Sequence, residues 1–247
     1  MGLMLDASVP VTKAQLDASK TAGITAWAGY LKSPSAYYPW APVTLALAAR
    51  ELGGVLPIYV SPVTPPGAAR GTADAVSAIT QLDAAGLTRS VALDIEYGSG
   101  WGTNVIAYAG AFCARIHAAG GFAAVYGPTE LLARLAKLPG ASRPYAPWLA
   151  AWTHTGHVLP TPSLTTNWPA ALNSWPANVR GWQYTNDVQL YGVQTDVSII
   201  GPTFPLAKLK TPTPPPPPPV VVKTLQVKFG NGATASGPSP LTVIELI

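Results

Sequence analysis

The sequence predicts an α/β fold, a (β/α)8 TIM-type barrel with irregular later helices, followed by a proline-rich linker and a short β tail. Three observations predict it. Eight short apolar runs recur through the first 200 residues, with Ala-rich helical patterns between the early ones. Glycine stands just past the end of most of those patterns, where a left-handed helix cap wants it. Composition then changes abruptly near residue 201. Strands alternating with helices of this length imply right-handed βαβ units and a parallel sheet, and eight strands in about 200 residues fit a small barrel.

The strand runs are Gly2–Asp6, Ile24–Leu31, Val55–Val60, Val91–Glu96, Gly121–Tyr126, Trp148–Trp152, Val179–Tyr184 and Thr195–Ile200. Helices are predicted over Thr12–Ala22, Val43–Leu52, Thr72–Ala85, Thr103–Ala119 and Pro128–Leu138. Their stops are Gly23, Gly53-Gly54, Gly86, Gly120-Gly121 and Pro139-Gly140. The stretch His154–Asn178 is broken by prolines and reads as irregular loops. A doubly wound open sheet would need a Gly-rich phosphate loop after the first strand, and Asp6-Ala7-Ser8-Val9-Pro10 is not one.

Residues 1–201 are thus expected to form the barrel domain, 202–219 a proline-rich linker and 220–247 a separate β tail. The run from Thr211 to Pro219 favours an extended polyproline II helix, a spacer of about 30 Å at roughly 3 Å per residue. In the tail, Val220–Phe229 and Leu241–Ile247 read as strands around a Gly230-Asn231-Gly232 turn. A two-stranded unit of that size does not hold itself together alone, so it is expected to pair with a partner chain or stay mobile.

Composition excludes several classes of function. Of 247 residues, 48% are hydrophobic and 11% charged, with a net charge of +4. Charge is too sparse for a disordered chain. Basic residues do not cluster among aromatics, so no nucleic-acid partner is expected. No window of about 18 apolar residues appears, so no membrane span is expected. Met1–Pro10 lacks the basic and apolar regions of a secretory signal. The single cysteine, Cys113, excludes a disulfide framework within the chain, and its mid-helix position suits packing. With three histidines (His117, His154, His157), no metal and no cofactor is expected. The G-x-S-x-G and G-x-x-x-x-G-K-[ST] signatures are both missing.

The acids carry the chemistry. Only eleven residues are acidic, and Asp6, Asp94, Glu96 and Asp196 fall at or beside strand ends that a parallel barrel gathers on its active face. Strands one and eight are neighbours across the closure, so Asp6 and Asp196 are expected close together. Asp94 and Glu96, two apart on a strand, point to the same side roughly 7 Å from each other. Two such carboxyls feel each other's charge, and one keeps its proton beside an ionised partner. Glycoside hydrolysis needs that division, an acid for the leaving oxygen and a carboxylate for the developing positive charge. Spacing alone equally allows acids that cap a helix or bind loop amides. Tyr30, Tyr37, Tyr38, Trp40, Tyr59, Tyr97, Trp101, Tyr126, Trp152, Trp182 and Tyr184 lie at or past strand ends, where rings stack on sugars or simply fill the barrel top. Tyr30, Tyr59, Tyr126, Trp152, Trp182 and Tyr184 are taken as substrate-binding candidates. Alternation places Gln183 opposite its neighbours in Trp182-Gln183-Tyr184, so only part of that triplet can face a pocket.

With these pieces in order, the chain resembles the family 25 glycoside hydrolases and, more closely, their DUF1906 or Rv2525c-like glycoside hydrolase-like relatives. The matching pieces are Leu5-Asp6-Ala7-Ser8, Ala92-Leu93-Asp94-Ile95-Glu96, Val125-Tyr126-Gly127, Ala151-Trp152, Trp182-Gln183-Tyr184 and Thr195-Asp196-Val197. They span residues 2–200 and exclude the tail. The family's usual Asp-Val-Ser-x-Tyr-Gln opening reads Asp6-Ala7-Ser8-Val9-Pro10-Val11 here, without the aromatic–amide pair. The resemblance implies cleavage of β-1,4 bonds in peptidoglycan, with Glu96 as general acid and Asp94, Asp6 and Asp196 as electrostatic and water-positioning partners. It also implies a protein carried on an actinobacterial phage particle, acting at the bacterial cell wall, with 220–247 anchored to a virion or tail protein or joining copies. The alternative is a structural virion module that binds cell-wall glycan through the same pocket without turnover.

Overall fold

The computed structural model describes residues 1–36, 38–63, 67–96, 102–155 and 168–211, with 227–228 and 234–235 beyond them. Two units separate, Met1–Lys210 and Thr211–Ile247. In the first, eight strands close into a barrel in chain order. They are β1 (Gly2–Asp6), β2 (Ile24–Tyr30), β3 (Val55–Val60), β4 (Ser90–Asp94), β5 (Phe122–Gly127), β6 (Ala146–Thr155), β7 (Gly181–Leu190) and β8 (Val193–Ile200). The helices are α1 (Lys13–Thr21), α2 (Pro42–Leu52), α3 (Ala68–Ala84), α4 (Thr103–Ala118) and α5 (Thr129–Leu135). Beyond α5 come single 3₁₀ turns at Gly140–Ser142, Ala170–Leu172 and Ala177–Val179, the irregular second half that its prolines predict. Among the described residues no helix is long and apolar enough to cross a membrane.

Local chemistry explains the element ends. Thr12 caps α1 in a box with Gln15: its hydroxyl accepts from the Gln15 N–H while the Gln15 side chain accepts from the Thr12 N–H. Pro42 opens α2, where a missing N–H costs nothing, and Gly53 ends it at φ 79°. A tight packing fixes one helix pair. A Cβ on Gly71 of α3 would stand 2.1 Å from the Tyr108 carbonyl of α4, so only glycine lets these helices meet there.

One strand runs against expectation. Neighbours from β1 through β7 pair in parallel, but β8 is antiparallel to both β7 and β1. The reason is local. The strands extend to Leu190 and Val193, leaving only Tyr191 (φ 54°) and Gly192 (φ 77°) between them. Two positive-φ residues make a tight hairpin turn, and a hairpin leaves no room for the crossover that a parallel strand needs. Asp196 therefore meets Asp6 across the closure from the first half of a strand that runs the opposite way.

Burial falls into two layers. Inside the barrel, Met4, Leu56, Ile58, Tyr126 and Trp148 interlock with Ala26, Ala28, Ala92, Ala124 and Ala146. Trp148 also donates its indole N–H to Ser198 Oγ at 3.0 Å. Outside, Leu5, Trp27, Tyr59, Leu93, Val125 and Val197 pack under the helices. Residues past 201 continue this unit: Ala207 and Val55 exchange backbone bonds of 2.8 and 2.9 Å, and the Lys210 N–H reaches Gly86 O at 2.8 Å. Phe204 is buried against the interior layer. A cavity of about 620 Å³ lies at this end, bordered by Arg89, Phe122, Tyr145, Pro202–Leu206 and Lys208.

In the second unit, β9 (Val227–Lys228) pairs antiparallel with β10 (Thr234–Ala235), and the turn expected at Gly230-Asn231-Gly232 lies outside the described residues. The strand expected at Leu241–Ile247 lies outside the described residues, as does most of the proline run.

Candidate active site

Strand alternation delivers the acids. Met4 points into the barrel, so Asp6, two residues on, does too, and it pairs directly with Asp196 across the β1–β8 ladder. Ala92 sets the same parity for Asp94, which stands beside Val60 on one side and Tyr126 on the other. The strand ends at Asp94, earlier than the sequence reading placed it, yet Ile95 still donates to Tyr126 O at 3.2 Å. Alternation therefore continues: Ile95 is buried in the outer layer, and Glu96 is exposed at the mouth.

A single amide ties the group together. Gln183 Nε2 donates to Asp6 Oδ2 at 3.0 Å and to Asp196 Oδ2 at 3.2 Å. Gln183 Oε1 accepts from the Tyr126 hydroxyl at 2.6 Å and from Trp152 Nε1 at 2.7 Å. The other Asp196 oxygen accepts the Asp187 N–H at 2.9 Å. Asp187 holds a positive φ of 58°, a conformation that Asp tolerates better than most residues, and its own carboxylate accepts from Gln194 and Asn186.

Electrostatics follow from crowding acids in a dry place. Burial pushes Asp6 well above the usual carboxylate range, and Asp196 adds to the rise while Gln183 opposes it. Burial does the same to Asp94, reinforced by Glu96 and then Asp6. Glu96 is raised by desolvation, against the Tyr126 hydroxyl bond that favours its charged form. Asp196 is pushed up to about 6, chiefly by burial. The phenols of Tyr30 and Tyr126 are raised too, first by desolvation and then by the charges of all four acids, which places one field over the whole group. Asp94 Oδ1 is buried with no hydrogen-bond partner, an arrangement that a neutral carboxyl tolerates far better than a charged one.

The aromatic candidates divide. Tyr30 and Tyr126 pack with the interior layer, and Trp152 stands half-exposed at 52% with its indole N–H on Gln183. Tyr59, Trp182 and Tyr184 do not join them. Tyr59 is buried in the outer layer and donates to Asp74 Oδ1 at 3.0 Å. Trp182 donates to Ala151 O at 2.8 Å and meets Tyr184 ring to ring at 5.9 Å, both packing with the outer layer. The reason is parity. Ile58 and Val60 take the inner face of β3, and Gln183 takes that of β7, so the residues between them turn outward. Trp40 likewise packs outside on Trp27, against Gly29, where any Cβ would fall 2.4 Å from the indole. Tyr38 is exposed, and Tyr37, Tyr97, Trp101 and His157 lie outside the described residues. Cys113 is fully buried, and burial pushes its thiol up.

Gln183 and Asp187 are the site residues that the sequence reading did not select. Alternation separated Gln183 from its ring neighbours without saying which face was inner. Asp187 carried no signal, because its role comes from its backbone N–H.

A family model described as Rv2525c-like, glycoside hydrolase-like domain matches residues 8–201. Among solved structures, an uncharacterized B. stearothermophilus protein superposes with a TM-score of 0.64 at 18% identity, covering 81% of this chain and 96% of that one. The Mycobacterium tuberculosis Tat-secreted protein Rv2525c, in complex with L-tartrate, gives 0.59 at 17%, covering 83% and 98%. The catalytic domain of endolysin ply40 from bacteriophage P40 of Listeria monocytogenes gives 0.55 at 15%, covering 81% and 93%. At such identities these likenesses speak for the fold. No curated protein matches the chain.

Proposed function

The chain belongs to the Rv2525c-like, glycoside hydrolase-like family, and from that premise we propose that it is a muramidase-like glycoside hydrolase directed at peptidoglycan. The carrying observation is the convergence of Asp6, Asp94, Glu96 and Asp196 in one field, with Glu96 the exposed member. Glu96 is the general acid. Desolvation raises its carboxyl, the direction a proton donor to a glycosidic oxygen needs, and its exposure lets it reach that oxygen. Asp94 beside it, its own carboxyl pushed up by burial and by Glu96, is the close carboxyl partner of that acid. Asp196, titrating near 6, is ionised at neutral pH and faces the positive charge that grows on the sugar. Asp6 shares its Gln183 amide and shapes the floor. Trp152, half-exposed, offers a face for a sugar ring.

Supporting this reading are solved relatives of the same fold that are named as an endolysin, an autolysin in complex with a synthetic peptidoglycan ligand, and a muramidase. The purified chain should release reducing ends from peptidoglycan, and Glu96→Gln should lower the rate at least about 100-fold. Equal rates in both proteins would end the proposal. One observation favours glycan binding without turnover: the opening Asp6-Ala7-Ser8-Val9-Pro10 lacks the family's aromatic–amide pair. That alternative predicts retention on cell walls with no reducing ends released.

The proline segment and the β9–β10 hairpin complete the proposal as an anchor for the enzyme on a virion or tail protein, by strand addition. A chain truncated after Pro219 should keep its melting temperature and lose assembly. Normal assembly of the truncated chain would remove the anchor.

A further inference from the structure

We propose that Gln183 is the positioning residue of this site, a fixed amide that holds Asp6 and Asp196 as a pair and is itself oriented by the Tyr126 hydroxyl and the Trp152 indole. The inference rests on the reading of these acids as the active group.

An amide in a carboxylate cluster has two orientations, and its surroundings choose one. Here both donors available to its oxygen, the Tyr126 hydroxyl and the Trp152 indole, converge on Oε1 at 2.6 and 2.7 Å. Neither can be replaced by the amide NH₂, because both are donors themselves. The NH₂ group is therefore turned toward β1 and β8, with one hydrogen for each facing carboxyl. Two acids standing opposite each other on paired strands repel when both ionise. Gln183 relieves that repulsion with neutral donors and adds no charge of its own.

Tyr126 fixes the amide from the other side. Its hydroxyl carries one proton and donates it to Gln183 Oε1, so the NH₂ group stays turned to the two carboxyls. The orientation of the amide in turn sets the charge balance of the pair. The groups that set this balance are Asp6 on β1, Tyr30 on β2, Asp94 and Glu96 at the end of β4, Tyr126 on β5, and Asp187 and Asp196 on the β7–β8 hairpin. Trp152, on β6, is half-exposed and donates its indole N–H to the same amide.

The test is a carboxyl-carbon NMR titration of the full chain, wild type against Gln183→Met and Tyr126→Phe. Met keeps the length and volume of Gln and removes every hydrogen bond. Tyr126→Phe removes only a hydroxyl and spares the packing, so it serves if the first variant does not fold. In Gln183→Met the midpoint of Asp196 should rise by about one pH unit from its value near 6. In Tyr126→Phe, which strips Gln183 Oε1 of one of its two donors, the midpoint of Asp6 or Asp196 should move although Tyr126 bonds neither. Folded Tyr126→Phe protein with both midpoints unmoved would overturn the fixing of the amide by Tyr126, and folded Gln183→Met protein with unmoved midpoints would overturn the positioning role. Neither result depends on turnover. A chain that hydrolyses nothing can still pass, and an active chain whose Glu96→Gln variant is dead can still fail.

Discussion

Two buried carboxyls of this barrel stand at almost the same depth and have opposite surroundings. Asp74 on α3 is 4% exposed and accepts from the Tyr59 hydroxyl at 3.0 Å, the Tyr108 hydroxyl at 2.8 Å and Arg70 Nε at 2.8 Å. Asp94 on β4 is also 4% exposed, has one oxygen without a partner, and faces Glu96 and Asp6. Asp74 is surrounded by donors and joins two helices to a strand. Asp94 is surrounded by other acids, and burial and their charges push its carboxyl up. The difference teaches that burial alone says nothing about role. A carboxyl met by donors stabilises a fold, whereas one met by its own kind is kept at the expense of stability for the sake of chemistry.

Removing each acid in turn should separate the two cases most sharply. Asp74→Ala leaves two buried phenols and a guanidinium without their acceptor, so the barrel should lose about 3 kcal/mol or more in urea unfolding at pH 7. Its hydrolytic rate per folded molecule should hold. Asp94→Asn should do the reverse, gaining about 1 kcal/mol because a neutral amide ends the crowding of carboxyls, while peptidoglycan hydrolysis falls about 100-fold because the carboxyl partner of Glu96 is gone. A destabilised Asp94→Asn protein with full activity would erase the contrast.

Milder changes sharpen it. Tyr59→Phe removes one of the donors on Asp74 and should cost about 1 kcal/mol with no change in reducing-end release, as expected of a ring on the outer face. A loss of activity in that variant would return Tyr59 to the site. The smallest effect is on pH. Asp196 moves from an ordinary 3.8 to about 6 on folding, so between those values the folded state binds more protons than the unfolded one. Its contribution to stability is therefore greatest at low pH and is lost as pH rises through that window. The wild-type melting temperature should fall by a few degrees more from pH 4.5 to 7 than that of Asp196→Asn. Parallel curves would show that Asp196 titrates normally.

Much of the barrel was legible because its signals are local. Apolar runs, the Thr12 cap and the glycine stops each act within a turn or two, and most of the observed strands and early helices sit within a few residues of where those signals place them, although β7 runs on to Leu190, six residues past its expected end at Tyr184. What escaped was also local but weaker. Helix α3 begins four residues before Thr72, and α5 ends at Leu135 rather than Leu138, since helix ends depend on packing as well as on caps. The compact unit continues beyond the composition change at residue 201, because Phe204 and Ala207 are buried against the barrel. Among the aromatics, β3 is buried on both sides, so hydrophobicity gave no parity with which to turn Tyr59 outward.

The sequence by itself determined that acids would stand at the ends of alternating strands, and that Asp94 and Glu96 would share a face, because strand geometry repeats every two residues. Only the tertiary structure decided that β8 returns as a hairpin arm, setting Asp196 opposite Asp6, and that the inward member of Trp182-Gln183-Tyr184 is the amide. Those outcomes depend on barrel closure and on contacts between residues nearly 180 positions apart, and no short-range preference encodes which of two faces a closing sheet will turn inward.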